Sequence, residues 1–65
     1  MTFQRFLAWL VFSEADIEDL YIYEQTDHFA YTEYKGDFDS ILAKEVVTVD
    51  LRMCHNRMIV TVCIK

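Results

Sequence analysis

Residues Val46 to Lys65 fold on paper into a hairpin whose register is set by its own apolar pattern. With a two-residue loop at His55-Asn56, Met53 faces Met58, Leu51 faces Val60, Val49 faces Val62 and Val47 faces Ile64, so one side is apolar throughout. A slip of one residue destroys the match. The other side pairs Val46 with Lys65, Thr48 with Cys63, Asp50 with Thr61, Arg52 with Ile59 and Cys54 with Arg57, a mixed face of the kind that meets solvent. Histidine and asparagine both tolerate the left-handed backbone that a tight primed turn requires, which accounts for His55 and Asn56 without any chemistry.

The chain upstream supplies the cover. Thr2 is a suitable N-cap for a helix running to about Phe12, in which Phe3, Phe6, Leu7, Leu10 and Val11 form an apolar stripe. Ala8, Trp9 and Phe12 lie away from that stripe, on packing against a second neighbour or on a surface for a partner. Ser13 to Asp19 is an acidic connection with room for one helical turn. Leu20 to Tyr23 and Phe29 to Tyr34 alternate as two strands of a second hairpin, with Ile22 opposite either Tyr31 or Ala30. After Gly36, expected to supply a positive φ, Asp37 should cap a short helix carrying Phe38, Ile41 and Leu42. Glu45 or Val46 opens the third strand. The expected fold is one α+β domain over residues 1–65, of order α-β-β-α-β-β, an antiparallel four-stranded sheet with helical cover on one face.

Sixty-five residues, 54% of them hydrophobic, can bury a core but sit near the size at which a partner or a staple is often needed. A homodimer is one solution. Cys54 and Cys63 provide no staple, because the hairpin register holds them about 20 Å apart at ~3.3 Å per residue, whereas a disulfide spans ~4.4–6.8 Å between α-carbons. Free thiols fit a reducing compartment, and the apolar run from Phe6 to Phe12 is shorter than the ~20 residues of a membrane span. A cytoplasmic protein is the expectation.

Charge is unevenly spread. Residues 13–39 carry nine carboxylates against Lys35, while residues 40–65 carry two acids against four bases, within a net charge of −5. This balance disfavours direct nucleic-acid binding, which needs clustered Lys and Arg, and suits a basic protein surface. His28 stands near Glu24 and Asp27, but the spacing matches no metal-ligand motif, and polar residues are common in turns. Cys54 and His55 are strand neighbours whose side chains diverge, so they form no catalytic pair. Glu14, Asp16, Glu18 and Asp19 lack the ligand ladder and bend glycine of a calcium loop. No enzyme activity, metal or cofactor is expected.

What remains is a set of candidate contact residues: Trp9, Phe12, Glu14, Asp16, Glu18, Asp19, Tyr21, Tyr23 and Tyr31, rich in the aromatics that interfaces favour. The helix from Thr2 to Phe12, the acidic bend, the tyrosine-rich hairpin, the turn Asp37-Phe38-Asp39-Ser40-Ile41-Leu42 and the closing strand Met58 to Val62 together resemble short acidic proteins of phages and other mobile elements of Gram-positive bacteria. That resemblance covers most of the chain at the level of pattern, without a diagnostic motif. It implies a non-enzymatic inhibitor of a host or bacterial-defence protein, in the manner of anti-CRISPR proteins, acting in the host cytoplasm. The chain departs from a strong nucleic-acid mimic in its modest net charge and basic C-terminal half. A self-associating accessory subunit, or a small-ligand binder with a tyrosine-lined pocket between subunits, are the alternative readings.

Overall fold

A computed structural model describes residues 1–12 and 17–65, with Phe12 described through its backbone only. Helix α1 (Phe3–Phe12) is followed by strands β1 (Ile17–Gln25) and β2 (Tyr31–Glu33), a 3-10 turn at Phe38–Ile41, and strands β3 (Val46–Cys54) and β4 (Arg57–Ile64). The four strands form one sheet of order β2-β1-β4-β3. No helix among the described residues is long and apolar enough to cross a membrane.

The C-terminal hairpin takes the register its apolar pattern dictates. Met53 pairs with Met58, Leu51 with Val60 and Val49 with Val62, around a turn in which His55 and Asn56 both have positive φ, 52° and 67°. Two pairs at the open end, Val47 with Ile64 and Val46 with Lys65, differ from expectation. A β-bulge between Val46 and Thr48 sets Val46, not Val47, opposite Ile64, and Val46 packs against the core instead of facing solvent.

The sheet is mixed rather than antiparallel throughout, because β1 runs parallel to β4, with Leu20 beside Val60 and Ile22 beside Val62. More than thirty residues separate these strands in the chain, so no tight turn fixes their relative direction. Their shared position at the sheet centre lets the apolar rows of both lie under the helix. Phe3, Phe6 and Leu10 of α1 close on Ile22, Ile41, Val60, Val62 and Ile64 to form the buried cluster. Val11, expected on the helix's core stripe, is 76% exposed, since the stripe is narrower than its spacing allows.

Thr2 caps α1 as expected: its carbonyl accepts from the Phe6 N–H at 3.1 Å, and its hydroxyl lies 3.4 Å from the Arg5 nitrogen. The next free amides at the helix start, of Phe3 and Gln4, donate to the carbonyls of Lys44 and Leu42 at 2.9 and 3.0 Å. The helix is thereby tied to the entrance of β3.

The middle of the chain departs further from expectation. The first strand begins at Ile17, so Ile17 to Asp19 is strand rather than bend, with a bulge between Ile17 and Asp19. The second strand is only Tyr31–Glu33, paired as Tyr23 with Glu33 and Gln25 with Tyr31, a register that matches neither expected alignment of Ile22. A five-residue loop explains it: the Asp27 carboxylate accepts from the amides of Phe29 and Ala30 at 2.8 and 3.0 Å, and the Thr26 N–H donates to the Ala30 carbonyl at 3.0 Å. This wider turn shifts the partner strand.

The second helix is a single 3-10 turn, and the Asp37 side chain makes no capping bond to it. Instead the Asp37 carbonyl accepts from the Tyr34 hydroxyl at 2.6 Å, which folds the tyrosine ring over Gly36. Gly36 does not adopt a positive φ; a β-carbon there would lie 2.6 Å from the Tyr34 hydroxyl oxygen and 2.8 Å from Cζ. Close approach, rather than backbone freedom, demands the glycine. Gly36→Ala is therefore expected to lower stability by about 1–3 kcal/mol, read as a shift of the urea midpoint. An unchanged midpoint would mean that the Tyr34 ring moves aside at no cost.

Candidate functional site

Alternation along β1 turns Leu20 and Ile22 to the core and Asp19, Tyr21 and Tyr23 to the opposite side. Pairing then assembles their neighbours. Asp19 lies beside Ile59, Tyr21 beside Thr61, Tyr23 between Cys63 and Glu33, and Tyr31 opposite Gln25. Since α1 and the buried cluster occupy the other face, this one is open, with Tyr21 and Tyr31 exposed and Tyr23 half-buried by its strand neighbours. The result is an aromatic row edged by the carboxylates of Asp19 and Glu33.

Of the expected contact residues, Asp19, Tyr21, Tyr23 and Tyr31 thus share one face, with Glu18 exposed at the bulge beside them. Trp9 does not join them. It lies across the sheet on α1, its indole stacked on Phe6 at 6.1 Å between ring centroids. Glu14, Asp16 and the Phe12 side chain fall outside the described residues. Glu33 was missed by sequence reasoning, and its signal was the β1–β2 register, which the pattern alone left open.

A second uncovered surface lies on the helix side. Met1, Phe6, Trp9, Val49 and Leu51 line a shallow apolar groove of about 280 Å³ between α1 and β3. The inward-facing residues of β3 were expected to be buried by virtue of their register. They are not: Val49, Leu51 and Met53 are exposed although their partners Val62 and Val60 are wholly buried and Met58 is half-buried.

The polar residues near His28 are engaged structurally. Asp27 holds the loop as described, and Glu24 pairs with Lys44 at 3.6 Å, while the His28 ring sits edge-on to Phe29, the side chain at the loop tip. Thr26, Asp27 and His28 line an open depression of about 330 Å³ with Gln25. Among the described residues, no cluster of three or more His, Cys, Asp or Glu is placed to hold a metal ion, and no polar side chain is buried. Cys54 and Cys63 are free thiols, as expected from their separation along the hairpin. Comparison of the chain with family models, with curated proteins and with solved structures returned no match.

Proposed function

We propose that the chain is a non-enzymatic protein-binding module that inhibits a host or bacterial-defence protein by laying the open face of its sheet on a basic surface. The observation that carries this reading is the strand register that aligns Tyr21, Tyr23 and Tyr31 on one face with Asp19 and Glu33. Tyrosines supply large contact area with few torsions to freeze, and they are enriched in binding surfaces. Carboxylates at the rim speed encounter with a basic partner and set its orientation. Nothing about this mode of action requires a cofactor or a direct nucleic-acid contact.

A benzophenone amino acid placed at Tyr21 tests the reading in cells that produce the chain. Illumination should give a discrete protein adduct, reduced several-fold when Asp19→Lys and Glu33→Lys are combined with the probe. The same probe at Gln4, exposed on α1 across the sheet, should give none. Equal adducts from both positions, or adducts indifferent to the charge reversals, would sink the proposal.

A further inference from the structure

Among the described residues, the outer edge of β3 is free beyond its first residue. Val46 donates to the Met1 carbonyl at 2.8 Å and Glu45 bridges to Thr2, but beyond that point β3 pairs only with β4 among the described residues. Cys54 and Arg57 flank the two-residue turn as the closing hydrogen-bonded pair. Alternation along the ladder then directs the amide and carbonyl groups of Val49, Leu51 and Met53 away from β4, toward the open edge. A long unpaired edge with an apolar face is a template for another strand.

We propose that this edge pairs with the same edge of a second copy, antiparallel about a twofold axis at Leu51, to form a homodimer with a continuous eight-stranded sheet. The occupant is identified by charge. A twofold perpendicular to the sheet keeps each side chain on its own face, so only registers that move by two residues are open to it. With the axis at Leu51, Asp50 of each copy lies opposite Arg52 of the other, Leu51 meets Leu51, and Val49 meets Met53. Moving the axis to Asp50 or Arg52 sets like charges against each other, and moving it to Val49 or Met53 pairs neither charge with its opposite.

Within one chain Arg52 Nε already lies 2.9 Å from Asp50 Oδ2, with both side chains largely exposed. Dimerisation converts that pair into a four-charge ring across the axis. On the opposite face, Val49, Leu51 and Met53 of each copy meet those of the other across the seam, extending the apolar floor of the groove beside Trp9. Part of the exposed surface of Val49, Leu51 and Met53 is thereby buried against these cross-strand neighbours. The open tyrosine face is left uncovered and doubled, so this inference does not depend on what that face binds.

Sedimentation velocity across a dilution series, with reductant present to keep Cys54 and Cys63 as thiols, tests the pairing. The unaltered chain should sediment as a dimer at high micromolar concentration and dissociate on dilution. Asp50→Arg and Arg52→Asp each place like charges opposite one another, and each should weaken self-association roughly tenfold or more. Mixed in equal amounts, the two variants restore opposite charges at both positions and should form a heterodimer. Both substitutions are at exposed positions, and far-UV circular dichroism of each variant should match the unaltered chain. A monomer at every concentration overturns the proposal. So does a dimer that both single variants retain, because the contact would then lie elsewhere.

Discussion

Phe3→Ala is expected to leave most of the chain unfolded at room temperature. Phe3 is fully buried and stands where three parts of the molecule meet: its ring is 6.1 Å from Phe6 on the next helical turn, edge-on to Phe38 at 5.7 Å, and in the cluster that includes Val60 and Val62. Removing a buried phenylalanine ring costs about 3–5 kcal/mol, through lost transfer energy and the cavity left behind. A domain of this length is stable by roughly 3–10 kcal/mol at ~0.05–0.15 kcal/mol per residue. The loss is thus comparable to the whole.

Position adds to volume in this case. The Phe3 amide is also the donor that fastens α1 to Lys44, so a helix start loosened by the cavity frees the entrance to β3 as well. Far-UV circular dichroism and a urea titration check the expectation, with Phe3→Leu as the conservative control, which should retain a cooperative transition at a lower midpoint. A Phe3→Ala chain with the midpoint of the unaltered protein would show that the ring is not part of the core.

The hairpin was legible because a period of two, read over matched strands, names opposing residues directly. Its burial was not. Periodicity tells which side chains share a face, but not how far a cover extends across it. A helix is ~10 Å wide, and strands lie ~4.8 Å apart, so one helix shelters about two strands of a four-stranded sheet. Here it shelters β1 and β4, and β3 overhangs with Val49, Leu51 and Met53 uncovered.

The same limit shaped the candidate site. Alternation in Leu20-Tyr21-Ile22-Tyr23 gave the tyrosines a common side, and strand β1 keeps it. Trp9 lies apart from them, because the helix is on the opposite face of the sheet and residue type carries no information about layer. The parallel pairing of β1 with β4 was illegible for a related reason. Contacts between distant strands leave no turn in the sequence to fix their sense.

Leu51 and Val60 face each other across the hairpin, yet truncating them is expected to have very different consequences. Val60 has no exposed surface and Leu51 is 47% exposed, so the pair separates register from burial. Val60→Ala removes two methyl-sized volumes from the centre of the cluster and should cost about 2–3 kcal/mol. Leu51→Ala deletes more atoms, but from a groove already open to water, and should cost under about 1 kcal/mol in dilute solution. Chemical denaturation at low micromolar concentration reads this contrast, and equal losses would mean that β3 is covered in the isolated chain. Concentration supplies a second axis. Because association stabilises the folded state by mass action, the Leu51→Ala deficit should widen as protein concentration rises through the dimer range, while the Val60→Ala deficit, set inside each subunit, should stay constant while that variant still dimerises.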